Sequence, residues 1–156
     1  MESILITSKV FNIASTIGTD IIIKSLTVTT RSVGSLISTI YSYDEPSIIQ
    51  IKNKLIDIDL EYMVNIIEEV VKDCNKLDKN NIPISITKAI HGVTEILDKI
   101  HDELTSINQS IIDHEKKYFH KWRSFNCKYN IQSIKKHKII LDSRYNILID
   151  LLKINL

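Results

Sequence analysis

The longest regular pattern of apolar residues runs from Ile86 to Tyr118, where such side chains recur at alternating steps of four and three. This spacing keeps one stripe on one side of an α-helix for about nine turns, so we expect a long helix with a partner along its length. The partner is either another helix of this chain or a second copy. The candidate interaction stripe comprises Ile90, Val93, Leu97, Ile100, Leu104, Ile107 and Ile111.

A second apolar series follows, out of phase with the first. The first series continues through His114, Tyr118, Trp122, Phe125 and Tyr129, and the second comprises Ile131, Ile134, Leu141, Tyr145, Leu148 and Leu152. The change of phase predicts a turn near 124–130, with Asn126 or Asn130 capping the last helix. We therefore predict a long C-terminal antiparallel helical hairpin formed by 84–125 and 130–154.

Two shorter helices are predicted before this hairpin. The sequence Asp-Glu-Pro at 44–46 is a helix start signal, and the helix extends to about Asp57. Asp59 then caps a second helix over 59–77, and 78–83 is the clearest loop.

The first 43 residues are rich in Ser, Thr, Ile and Val. Helical spacing is present at Val10, Ile13, Ala14, Ile17 and Ile21, and again at Val33, Leu36, Ile37 and Ile40. Residues 20–30 are rich in β-branched side chains and fit either a helix or a strand. The whole pattern predicts an all-α, single-domain helical bundle, in which 1–43 forms an N-terminal helical segment of the same domain as 44–156.

The composition is that of an ordinary globular protein, with a bias toward amino acids that have AT-rich codons. The chain has 44% hydrophobic and 25% charged residues, and it contains 32 Ile but only 2 Ala. This bias favours an origin in an AT-rich protist or in a large DNA virus.

The N-terminal sequence indicates neither secretion nor membrane insertion. It lacks a signal-peptide pattern, and Lys9, Asp20, Lys24 and Arg31 interrupt its apolar stretches. Two cysteines, Cys74 and Cys127, fit buried thiols in a reducing compartment. We expect an intracellular protein, cytoplasmic or nuclear, or a virion-associated one if it is viral.

Charge is strongly segregated along the chain. Residues 44–115 contain 15 acidic and 7 basic residues, a net charge of −8, whereas 116–138 contain 8 basic residues and no acid, a net charge of +8. Five of the chain's ten aromatic residues also fall within 116–138. The candidate polyanion-binding residues are Lys116, Lys117, Lys121, Arg123, Lys128, Lys135, Lys136 and Lys138.

The basic segment has more than one interpretation. In one interpretation the segment binds nucleic acid: its cations neutralise phosphates, and exposed aromatic rings stack on bases. In another, the cations bind an acidic protein. Alternatively, the basic end faces the acidic helices of the same fold and the aromatic rings close the core, which helical spacing favours for Tyr118 and Trp122. Lys117, Lys121 and Lys128 are spaced to line one side of a helix.

The chain contains little that resembles a catalytic or metal-binding motif. His114-Glu115 begins like a zinc-protease helix, but the second histidine is missing from its required position. His114, His120 and Cys127 contain zinc-ligand types without a usual spacing. We therefore predict no catalytic residue, metal, cofactor or small-molecule substrate.

The function that the sequence favours is non-enzymatic. We expect a helical structural or interaction protein, an adaptor or assembly subunit, which binds a protein partner or a second copy through apolar stripe surface left uncovered after folding. The alternative is binding of nucleic acid or another polyanion through 116–138.

Overall fold

The computed structural model describes residues 2–120 and 123–155, with side chains described from residue 18 onward. It contains α1 (Glu2–Ser42), α2 (Pro46–Asp57), α3 (Leu60–Cys74), α4 (Ile84–Glu115) and α5 (Lys128–Asn155). No strand is present in these described ranges. The all-α prediction is confirmed.

Helix α1 passes through residues 20–30 without interruption, so the alternative of a strand there is wrong. Two threonine hydroxyls satisfy backbone carbonyls four residues earlier: Thr27 donates to Ile23 at 2.9 Å and Thr30 donates to Leu26 at 2.7 Å. Such bonds let β-branched threonines remain within a helix. The predicted spacing at Val10, Ile13, Ala14 and Ile17 concerns side chains outside the described ones.

Helices α1 and α4 lie side by side and run in the same direction. The Thr19 and Thr87 hydroxyls are 3.4 Å apart near one end, and the Tyr43 hydroxyl donates to Asn108 at 3.0 Å near the other. Between these contacts, Thr29 donates to Asp98 at 2.9 Å. Helix α3 packs on the side of α1, and α5 packs on the side of α4.

Contacts between α4 and α5 agree with the predicted antiparallel hairpin. Arg144 donates to Glu95 at 3.0 Å, and Asn130 donates to Glu103 at 2.8 Å, so higher numbers on one helix meet lower numbers on the other. Asn126, one of the two candidate caps, accepts a hydrogen bond from the Lys128 backbone N–H at 2.9 Å.

The α4 stripe forms the centre of the core. Its seven predicted residues are all 0% exposed, because α1 and α5 pack along α4 from two sides. The expected surplus of uncovered stripe is therefore absent at these positions. The residues are Ile90, Val93, Leu97, Ile100, Leu104, Ile107 and Ile111.

The junction between α2 and α3 departs from the predicted cap. Asp59 occupies the N-cap position of α3, but its side chain makes no capping hydrogen bond. Its backbone is left-handed, with φ 58°, whereas a side-chain cap normally requires an extended backbone. Helix α3 also ends at Cys74, three residues before the predicted end.

Arg144 links α5 to α4 through two acceptors, the Gly92 carbonyl at 2.6 Å and the Glu95 carboxylate at 3.0 Å. The Arg144 hydrogen bond holds the pKa of Glu95 below its ordinary value. A lowered pKa stabilises the fold at pH values above the ordinary pKa, and this stabilisation is lost as pH falls through the lowered pKa.

Urea unfolding of Arg144→Met should therefore show a larger loss of stability at neutral pH than at about pH 3.

Lys153→Met provides the control for this pH dependence, because Lys153 forms a single exposed pair with Asp150 at 3.8 Å on its own helix. Its effect on the free energy of unfolding should be small at both pH values. An Arg144→Met effect that is equal at both pH values would show that the ion pair with Glu95 does not contribute to stability.

Candidate functional site

The connection between α4 and α5 is where the structure departs most from the predicted helix. Helix α4 ends at Glu115 rather than near residue 125. The chain then makes a run of tight turns, in which the His120 N–H donates to Lys117 at 3.2 Å and the Arg123 N–H donates to His120 at 3.1 Å. Phe119 adopts a left-handed backbone with φ 58°, which a continuing helix does not permit.

Two side chains hold this connection against the bundle. His120 contacts the Glu45 carboxylate at 3.0 Å, which ties the connection to the residue before α2. Phe125 packs on the core, and its ring centre is 5.1 Å from that of the buried His114. His120 is thus half-buried and paired, and the connection is fixed on both sides of its turns.

Three aromatic rings at this end of the molecule face solvent. Tyr118, Phe119 and Tyr129 are 87%, 72% and 79% exposed, and the Tyr118 and Phe119 ring centres are 6.0 Å apart at an angle of 58°. The prediction that Tyr118 belongs to the core stripe is wrong, because α4 ends before it. Trp122, which the same prediction placed on the stripe, lies outside the described residues.

Basic residues lie close to these aromatic residues along the chain. Lys117, Arg123 and Lys128 are exposed, and within the described residues none of them forms an ion pair. We call these three cations and the exposed rings of Tyr118, Phe119 and Tyr129 the basic–aromatic corner. Lys117 and Lys128 lie on opposite sides of the turn, so the prediction that they line one helix face is wrong.

The other predicted basic residues differ in availability. Lys116 lies 3.8 Å from Asp113, and Lys138 forms a closer pair with Asp142 at 2.8 Å. Lys135 and Lys136 are exposed on the first half of α5. Lys121 lies outside the described residues. Both of these ion pairs join neighbouring turns rather than a basic residue and an acidic helix across the fold.

Phe119 combines exposure with an unfavourable backbone. A left-handed conformation costs a residue other than glycine about 1–2 kcal/mol, and a bulky aromatic residue there is an outlier. Its side chain is 72% exposed, so core packing does not compensate for this cost. Strained residues of this kind concentrate at binding sites, where the strain presents a side chain in a required position.

The candidate zinc ligands do not form a metal site. The His114 and His120 rings are 6.3 Å apart at an angle of 83°, and His120 is already paired with Glu45. Among the described residues, no group of three or more potential ligands is placed to hold a metal ion. Burial raises the pKa of Cys127, which favours its neutral thiol.

Three buried polar atoms, His114 Nε2, Glu45 Oε2 and Ser47 Oγ, have no hydrogen-bond partner among the described residues. His114 also lines a cleft of about 340 Å³ beside Lys117, with Ser110 and Asn126. The cleft adds a polar recess next to the basic–aromatic corner.

One set of exposed residues was not predicted from the sequence. Ile139, Ile140, Ile147 and Ile154 of α5 face solvent. The available signal was a second apolar row in α5, since 140, 147 and 154 are spaced by seven while the predicted core series occupies other positions.

The chain is similar to a protein of a large virus. The chain is 26% identical over 154 residues to an uncharacterized protein of Acanthamoeba polyphaga mimivirus. The alignment covers 81% of this chain and 72% of the relative. No protein family model and no solved structure matches the chain. The relative comes from a virus, in agreement with the origin that the composition favours.

Over the described residues, none of the helices combines the length and apolar character needed to cross a bilayer.

Proposed function

We propose that this protein is a non-enzymatic binding protein that holds single-stranded nucleic acid at the basic–aromatic corner. The observation that carries the proposal is Phe119, a large apolar ring held in a strained backbone conformation and left exposed two residues from Lys117, which forms no ion pair among the described residues. Neither folding nor core packing explains this placement, whereas a base that stacks on the ring would.

The chemistry of the corner suits a single strand better than a duplex. Unpaired bases stack on aromatic rings, and each stacked base contributes about 1–3 kcal/mol. A duplex keeps its bases stacked on each other and offers mainly its phosphates to a protein. Lys117, Arg123 and Lys128 would bind phosphates on either side of the rings, which gives affinity without sequence specificity.

The role of an adaptor or assembly subunit, which the sequence favours, requires an apolar surface outside the α4 stripe. That stripe is covered by α1 and α5 of the same chain. Nucleic-acid binding requires no such surface. The proposed binding role places the protein in the cytoplasm, nucleus or virion, where nucleic acid is present.

Phe119→Gly is the sharpest test of this proposal. Loss of the ring should weaken binding of a labelled oligo-thymidine by roughly 5- to 150-fold, measured by fluorescence anisotropy at constant salt. The same substitution should leave the fold at least as stable in urea, because relief of about 1–2 kcal/mol of strain exceeds the glycine entropy cost of about 0.5–1 kcal/mol.

Tyr62→Ala is the matched control, since Tyr62 is also exposed but lies on α3 away from the corner. It should leave the affinity for oligo-thymidine unchanged. The wild-type protein should also bind a duplex of equal length more weakly than the single strand. Equal affinity of Phe119→Gly and wild type for the single strand would refute the stacking role.

A further inference from the structure

Helix α5 carries a row of exposed apolar side chains beside its buried side. Ile140, Ile147 and Ile154 are 41%, 55% and 79% exposed. A neighbouring side of α5, about 100° around the helix, carries Leu141 and Leu148, which are buried in the core. The helix is therefore apolar on two sides, and the described residues of the chain fully cover only one of them.

The spacing of this row is that of a helix-pairing seam. A step of seven residues brings the side chain back to nearly the same side of a helix, with a drift of about 20° per step. Exposed Ser143 and Asp150 occupy the intermediate positions and are small or short enough for a second helix to approach. Ile139 flanks the row and is 71% exposed.

We propose that a second copy of this chain covers this row, with the two α5 helices antiparallel and related by a two-fold axis at Ile147. Because Ile140 and Ile154 are equally distant from Ile147, this symmetry places each of them opposite the other and Ile147 opposite itself. Every isoleucine of the row then meets an isoleucine, so one surface serves as its own complement.

Charge selects the antiparallel orientation. In a parallel pair, Asp150 would lie beside Asp150 of the second copy, and like charges would repel. In the antiparallel pair, Ser143 of the second copy lies near Asp150 and supplies a hydroxyl donor. Arg144 of the second copy lies level with Asp150 along the helix axis, because Arg144 is three residues before Ile147 and Asp150 is three residues after it.

Dimerisation does not depend on nucleic-acid binding, because the basic–aromatic corner and the α5 row share no residue.

Light scattering coupled to size exclusion should give wild-type protein a mass of 36 kDa, twice the 18.0 kDa of one chain, at high concentration. Ile147→Asp places two carboxylates against each other at the axis and should raise the dimer dissociation constant by more than about 100-fold.

Ile21→Asp is the matched control, because Ile21 on α1 is 60% exposed, close to the exposure of Ile147. It should dimerise as the wild type does, and circular dichroism should show both variants folded. If Ile147→Asp lost helicity, Ile147→Ser would replace it. A wild type that stays monomeric at all concentrations would overturn the proposal, as would dimerisation of a folded Ile147 variant with unchanged affinity.

Cross-linking tests the orientation. A mixture of Ile140→Cys and Ile154→Cys proteins should cross-link through a short bismaleimide, whereas Ile140→Cys alone should not. Cys74 and Cys127 are buried, and burial raises the pKa of Cys74 to about 11, so the introduced thiols should react first. Efficient cross-linking of Ile140→Cys alone would reject the antiparallel arrangement.

Discussion

Leu104→Asp is expected to unfold the protein. Leu104 is fully buried at the centre of α4, between helices that cover it on two sides. A carboxylate there has no described cationic partner, and leaving a charge uncompensated in a core costs several kcal/mol in addition to the lost apolar contacts. A domain of this size has a total stability of about 5–15 kcal/mol. Far-ultraviolet circular dichroism should show loss of most of the helical signal.

Two further variants separate the effect of the buried charge from the effect of the lost packing. Leu104→Ala removes apolar contacts without adding charge, so it should remain folded and lose about 2–5 kcal/mol in urea unfolding. Ile139→Asp adds the same charge at an exposed position and should keep the wild-type helical signal. A Leu104→Asp protein with wild-type helicity and stability would show that the α4 stripe is not sealed within one chain.

Reversal of charge at three positions of the basic–aromatic corner should remove nucleic-acid binding. In the triple variant Lys117→Glu, Arg123→Glu, Lys128→Glu, three attractive phosphate contacts become repulsive, and we expect affinity for oligo-thymidine to fall by more than about 100-fold at moderate salt. Residual binding should depend less on salt. Each single-strand phosphate contact contributes about 0.7 to the slope of log affinity against log salt, so the slope should decrease by about 2.

A triple reversal elsewhere separates local contacts from net charge. Arg31, Lys54 and Lys88 are exposed and lie outside 116–138, and their reversal to Glu changes net charge by the same amount. This control should bind at most a few-fold more weakly than the wild type. If both triple variants lost affinity equally, binding would reflect the overall charge of the protein and not the corner.

The sequence predicted the helical class and the start of α4 because long periodic patterns leave little ambiguity. A stripe such as Leu97 to Ile111 fits a buried helix face and no other regular element. The end of α4 was predicted wrongly for the same reason. The apolar spacing continues through Tyr118, so periodicity alone extends the helix, and no glycine or proline marks its end at Glu115.

The exposure of the corner could not be predicted from spacing. Tyr118 shares the period of the buried stripe, but the stripe requires a helix that has already ended at Glu115. In residues 20–30, by contrast, the many β-branched residues did not distinguish a strand from a helix. Packing of α1 along α4 decides in favour of helix, and that packing joins residues distant in sequence.

The helices that cover the α4 stripe also could not be predicted from the local sequence pattern. Apolar content shows how much surface a helix must bury, but not which partners bury it. Here the partner of α4 on one side is α1, from the opposite end of the chain. The surplus that the sequence assigned to α4 appears instead on α5, at Ile140 and Ile147.

The parallel pairing of α1 with α4 has a consequence for synthesis on the ribosome. Contacts between the two helices join residues 68 or 69 positions apart, such as Thr19 with Thr87 and Thr29 with Asp98. A nascent chain must therefore expose the apolar face of α1 until α4 has emerged. Contact order of this kind slows folding relative to bundles of sequential hairpins, and it lengthens the period in which a chaperone can bind α1.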